Sequence, residues 1–270
     1  MSQLPQANKT LGQHFLVDKK VISKITEDFK EEAKAIVEVG PGPGILTENL
    51  SAHQLPLHVI DKDERFPEYL KKFVDEDKIH ITDALEWDLE AGFKEWEYPE
   101  NDIWMVSNLP YNVSTPLLIQ FLKAPSLKYM TLMFQREVAD KVFPIDTRVG
   151  KAMNSLLALS QTYFEVSLLC KVPPGAFNPP PKVDSAVLSF TRRDQPKVAL
   201  ENFKSFESFL RTLFQFKRKQ MGSNLKSRYP KEKLEKALTQ CGLERSQRAE
   251  SLKLEDIQNL YIELEQEKDR

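Results

Sequence analysis

Short apolar runs alternate with helix-compatible stretches through the first 190 residues, and no other feature constrains the fold as tightly. Residues 35–39, 57–60, 79–81, 103–106 and 129–134 read as strands. Patterns that fit helices lie between most of them, for example 66–74 and 115–122. This alternation predicts an α/β fold with a parallel sheet and helices on both faces, because each crossover must carry the chain back along the sheet. Residues 166–169 and 186–190 add two more expected strands. The polar run Arg192-Arg193-Asp194-Gln195-Pro196 then ends in proline and reads as a linker. Beyond it Phe203, Phe206, Phe209, Leu210, Leu213 and Phe214 recur at three- and four-residue spacing, as do Leu254, Ile257, Tyr261 and Leu264. Such stripes pack helices together. The expected organisation is a larger α/β domain over 1–193 and a small all-helical domain over 194–270.

Composition closes off several classes. With 41% apolar and 29% charged residues in 270, the chain has enough apolar material for a full core, so neither a disordered nor a fibrous protein is expected. Cys170 and Cys241 are far apart and form no CxxC, and the four histidines show no ligand spacing, so no metal is expected. No apolar run is long enough to span a membrane, and the first residues lack the basic-then-apolar pattern of a signal peptide. A reduced, cytoplasmic protein is the expectation. The net charge of −2 hides an asymmetry. Residues 61–102 hold 15 acidic and 6 basic side chains, whereas 201–236 hold 10 basic and 4 acidic ones. A polyanion is drawn to the second stretch and repelled by the first.

Three of the nine glycines, Gly40, Gly42 and Gly44, share one five-residue window. The window follows an expected strand and precedes a helix, the place where a ligand can approach bare backbone at a helix start. Its Gly-x-Gly-x-Gly spacing, with prolines in both gaps, suits an adenosine-type ligand without a pyrophosphate better than a dinucleotide. Asp61 follows 21 residues after Gly40 at the end of the next strand, where a carboxylate can accept from both ribose hydroxyls. Asp83 follows the third strand and is placed to meet an adenine amino group. Together these features suggest S-adenosylmethionine.

After the fourth strand comes Asn108-Leu109-Pro110-Tyr111-Asn112. The proline stiffens the turn, so the Asn108 amide and the Leu109 carbonyl can offer two acceptors to one exocyclic amine. Tyr111 supplies a flat face for the base. Five prolines lie within residues 173–181, making a stiff segment that presents Phe177 as a second stacking ring.

In this order the motifs resemble the ribosomal RNA adenine N6-dimethyltransferase family, on the side of its bacterial small-subunit members. The resemblance rests on Leu11-Gly12-Gln13-His14-Phe15-Leu16, residues 38–47, residues 108–114, residues 177–186 and Arg248-Ala249-Glu250-Ser251-Leu252, and so covers most of the chain. It implies a Rossmann-like class I methyltransferase sheet and S-adenosylmethionine as cofactor. It also implies that Gln13, His14 and Leu16 close over the methionine end. Gly40 and Gly42 would contact the cofactor through backbone, Asp61 its ribose, and Asp83 with Ala84 its adenine, while Asn108 borders both cofactor and target. His14 stands where the family commonly has asparagine, and Asp61 where it commonly has glutamate; the shorter acid must sit closer to the sugar. Lys217, Arg218, Lys219, Lys226 and Arg228 then read as contacts to the RNA backbone. The implied substrate is two adjacent adenines near the 3′ end of 16S rRNA in an immature 30S subunit; separately from the resemblance, a monomer is expected. Two alternatives stay open: a 23S rRNA dimethylase of the antibiotic-resistance type, and an assembly factor that has kept the fold. Arg248-Ala249-Glu250 and the long helical tail favour the small-subunit reading, as does Leu109, where the rival more often has isoleucine.

Overall fold

Each expected strand forms in the computed structural model, which describes residues 14–98, 102–146 and 152–265. In chain order the elements begin with β1 (Phe15–Leu16), α1 (Lys19–Glu27), β2 (Ala35–Val39), α2 (Thr47–Ser51), β3 (Leu57–Asp61), α3 (Pro67–Leu70) and β4 (Ile79–Ile81). There follow α4 (Leu89–Glu95), β5 (Ile103–Asn108), α5 (Ser114–Lys123), β6 (Leu127–Gln135), α6 (Arg136–Val142), α7 (Ser155–Tyr163), β7 (Phe164–Val172), β8 (Phe177–Asn178) and β9 (Ser185–Arg192). The C-terminal helices are α8 (Phe203–Leu213), α9 (Met221–Leu225), α10 (Lys231–Gln240) and α11 (Leu254–Glu265).

Seven strands make one sheet in the order β4-β3-β2-β5-β6-β9-β7. The ladders β4–β3, β3–β2, β2–β5 and β5–β6 are parallel, as the alternation requires, but β9 runs antiparallel to β6. The sheet is therefore mixed rather than parallel throughout. A hydrogen-bond network pins this departure. The Trp104 indole N–H donates to Thr131 Oγ1 at 2.9 Å, and the hydroxyls of Thr131 and Ser189 both donate to Asp28 at 2.7 Å. Two strands, β6 and β9, thereby share the carboxylate at the end of α1, and β5 joins them through Trp104; burial raises the pKa of that carboxylate against the lowering effect of those hydroxyls. β2, all five of whose residues are buried, lies in the interior of the sheet, which is why its sequence is a continuous apolar run apart from Glu38.

The chain divides into two compact units, 1–143 with 166–192, and 144–165 with 193–270. The segment 144–165 thus groups with the C-terminal helices, although its sequence precedes two sheet strands. The reason is packing: Tyr163 of α7 meets Phe203 of α8 with ring centroids 5.1 Å apart, and Gln258 Nε2 donates to Thr162 Oγ1 at 2.9 Å inside the same unit. The stripe of α8 is buried as its spacing predicts, with Phe206 and Phe209 fully enclosed beside Tyr261.

Candidate active site

The glycine loop follows β2 and turns under backbone control. Gly42 adopts φ +56° and Gly44 φ +90°, a region that side-chain-bearing residues rarely occupy. At Gly44 a Cβ would also lie 2.8 Å from the Phe73 ring. The loop's next support is Asp61 at the end of β3. Asp61 Oδ2 accepts from the Gly42 N–H and Oδ1 from the Asp63 N–H, both at 2.9 Å. Burial raises the Asp61 pKa, and these backbone donors lower it. A carboxylate has about four acceptor sites, so capacity remains for a further donor such as a hydroxyl.

One strand over, the Ser107 hydroxyl donates to the Val39 carbonyl at 2.6 Å and ties the start of the glycine loop to the end of β5. Asn108 is the next residue. Its Nδ2 donates to the His14 carbonyl at 3.4 Å, which leaves Oδ1 as a free acceptor. Leu109 is buried, and its N–H donates to the Met133 carbonyl at 3.3 Å. The Tyr111 hydroxyl shares a 2.9 Å hydrogen bond with Ser185, and its ring stacks on His14 with centroids 5.8 Å apart and planes 26° off parallel. Burial raises the Tyr111 pKa, so the phenol is neutral and serves as a wall.

These groups open on one cleft, whose wall includes His14, Leu16, Gly40, Gly42, Asp61, Asn108, Leu109 and Tyr111. It also includes Glu38 and Phe66, which sequence reasoning missed. Glu38 is buried, accepts from Thr47 Oγ1 at 2.6 Å and has its pKa pushed up to about 8, chiefly by burial. The available signal was a lone acid inside the apolar strand that leads into the glycines.

Four expected residues stand apart from this cleft or outside what is described. Asp83 is not in its wall; its carboxylate accepts from the Leu85 N–H and lies 3.7 Å from Lys62, a residue that is. Ala84 is buried and likewise not in the wall. Phe177 requires a correction, because its ring is not presented to the cleft. It is 4% exposed, paired through β8 with Leu16 of β1, and belongs to the apolar cluster around Phe15, Val172 and Ala176. The prolines stiffen this segment, but their ring neighbour anchors it. Gln13 lies outside the described residues, as do Leu11 and Gly12.

In the second unit Lys217, Arg218, Lys219 and Lys226 are exposed, and none of them pairs with a carboxylate among the described residues. Arg228 needs a second correction. Its guanidinium donates to Ser208 Oγ at 2.7 Å and to Glu265 Oε1 at 3.0 Å, and only 20% of the side chain is exposed, so it fastens α8 to α11. No cluster of side chains able to hold a metal occurs among the described residues, and none of their helices is long and apolar enough to cross a membrane.

Comparisons with known proteins agree with this geometry. The chain is 37% identical over 262 residues to the ribosomal RNA small subunit methyltransferase A of Geobacter metallireducens, covering 93% of each. It is 34% identical over 269 residues to the protein of that name from Streptococcus equi subsp. zooepidemicus, covering 96% of this chain and 92% of that protein. Among solved structures, the 23S rRNA methyltransferase ErmE superposes with a TM-score of 0.67 at 26% identity, over 93% of this chain and 99% of that one. A dimethyladenosine transferase from Plasmodium falciparum shares the fold, with a TM-score of 0.75 at 23% identity over 94% of this chain and 98% of that one. The family model described as ribosomal RNA adenine dimethylase matches residues 5–266. A match of that extent, running through both units, means that the chain belongs to the ribosomal RNA adenine dimethylase family and is an rRNA adenine dimethyltransferase.

Proposed function

We propose that the chain dimethylates N6 of two adjacent adenines near the 3′ end of 16S rRNA, with S-adenosylmethionine as methyl donor, on an immature small ribosomal subunit in the cytoplasm, and that it acts as a monomer. The observation that carries this reading is the convergence on one cleft of Asp61 beside the glycine loop and of Asn108 beside Leu109. The names of the curated relatives favour the small subunit. The residues present fit the cofactor. Asp61 keeps acceptor capacity for ribose hydroxyls, and Glu38 offers a buried carboxyl that ionises readily only beside a cation. Leu16 lines the same wall, with the His14 ring against Tyr111. Asp83 and Ala84, beyond that wall, mark the adenine end.

When bound, S-adenosylmethionine supplies a sulfonium-activated methyl group. The chain's own task is to orient a weak nucleophile. The lone pair of adenine N6 is delocalised into the ring, and acceptors at Asn108 Oδ1 and the Leu109 carbonyl hold both N–H bonds so that the nitrogen pyramidalises toward the methyl. No strong base is needed, because the nitrogen acidifies as it is alkylated. The adenine must leave its stack to enter. Lys217, Arg218, Lys219 and Lys226 hold the RNA backbone. Phe177 supports the cleft from the core, and a base-stacking role would require it to leave that cluster.

The test is labelled methyl transfer to unmethylated 30S particles and to 23S rRNA, with the product nucleoside identified. N6-dimethyladenosine in 30S particles alone is expected. Product on 23S rRNA would replace this reading with the antibiotic-resistance one, and no product on either would leave an assembly factor.

A further inference from the structure

The turn that carries Lys217, Arg218 and Lys219 also carries an aromatic ring that the core does not use. Phe216 is 47% exposed, the highest figure among the exposed large apolar side chains of the described residues and the one aromatic ring among them. Phe206 and Phe209 on the preceding helix are fully buried, so Phe216 forgoes a stabilisation that its neighbours gain. Its position is built. The Lys219 N–H donates to the Phe216 carbonyl at 3.0 Å and closes a turn over Lys217 and Arg218. The buried Asn224 side chain donates Nδ2 to the carbonyls of Leu213 at 2.8 Å and Phe216 at 3.4 Å. The Lys219 ammonium lies 4.3 Å from the centroid of the Phe216 ring.

We propose that Phe216 is a stacking platform for one unpaired RNA base, with Lys217, Arg218 and Lys219 holding the phosphates that flank it. The proposal rests on the RNA-binding reading of this turn given above and adds a contact to the base. An isolated exposed ring is too small a patch to dock an apolar protein surface. Followed in the chain by three exposed cations, one of them over the ring, it matches a ligand with alternating aromatic faces and negative charges. A base stacked on the ring frees the Lys219 ammonium for the adjacent phosphate.

The experiment titrates the full chain against unmethylated 30S particles and against a single-stranded oligoribonucleotide over a salt series. Phe216→Ala should weaken binding to both by roughly ten-fold. Its salt slope should stay unchanged, because no charge is lost. Phe216→Trp should restore affinity, and Phe216→Leu, apolar but without a π face, should not. Wild-type affinity in Phe216→Ala, or full binding by Phe216→Leu, overturns the proposal. Replacing Lys217, Arg218 and Lys219 together by alanine separates the two failures. If that variant keeps its affinity and slope, the RNA reading of the turn falls and the stacking role with it. If it loses both while Phe216→Ala binds normally, the stacking role alone falls. An unchanged melting temperature in each variant confirms that the fold is intact.

Discussion

The cleft of the sheet unit and the basic turn of the helical unit handle charge in opposite ways. Around the cleft, the ionisable groups are buried or half-buried and each is hydrogen-bonded: Asp61 to two backbone N–H groups, Glu38 to Thr47, Tyr111 to Ser185. On the turn, Lys217, Arg218 and Lys219 are exposed and pair with no carboxylate among the described residues, Lys219 lying instead over the Phe216 ring. The first arrangement fixes atoms to fractions of an ångström, which a methyl transfer demands. The second offers exposed positive charge, which suits a backbone whose phosphates recur everywhere and need no exact register. Loss of one group in the cleft should therefore be felt in turnover, and loss of charge on the turn in affinity and its salt dependence.

The sharpest way to break this contrast is Asn108→Ala. With the Oδ1 acceptor gone, kcat should fall by about 10²-fold with little change in RNA affinity, measured by single-turnover methyl transfer. A fall in RNA affinity instead would blur the division between the two regions. Next in size is the triple alanine variant of Lys217, Arg218 and Lys219. It should lose about ten-fold or more in RNA affinity, and the slope of log affinity against log salt should drop by about two to three, with single-turnover kcat preserved at saturating RNA. Asp61→Asn is a smaller change. Both carboxylate oxygens already accept backbone N–H groups, whereas an amide has one acceptor, so either Gly42 or Asp63 loses its partner. We expect about ten-fold weaker adenosylmethionine binding by calorimetry. The smallest effect is a pH slope. Glu38 holds its proton to about pH 8 in the fold, while the unfolded chain releases it near 4.5. Its contribution to stability is complete below 4.5 and is lost as pH rises toward 8. Glu38→Gln should flatten this slope by about 1 kcal/mol per pH unit in denaturant unfolding between pH 6 and 8.

Much of the cleft was legible because it is made of short-range patterns. A glycine cluster after an apolar strand, an acid at the end of the next strand and an Asn-Leu-Pro-Tyr turn after a later one each declare themselves within a few residues. In a parallel sheet the ends of such strands fall together. Glu38 was visible in the sequence but not its place in the wall, because burial is a property of neighbours. Phe177 and Arg228 were legible only as residue types. A phenylalanine between prolines, or an arginine after a basic run, carries no local mark of whether it faces solvent, and each had a distant partner: Leu16 for one and Glu265 for the other.

The amino-acid sequence by itself determined the element types, the α/β class, the turn at the glycines and the family. Those follow from periodicity, backbone preference and motif, all of which act over a few residues. Only the tertiary structure decided that β9 enters the sheet antiparallel beside β6, that 144–165 joins the helical unit, and that the carbonyl of His14 takes the amide of Asn108, 94 residues away. Such choices are made by which buried groups find partners, and the free energy of that pairing belongs to the packed whole and not to any stretch of chain.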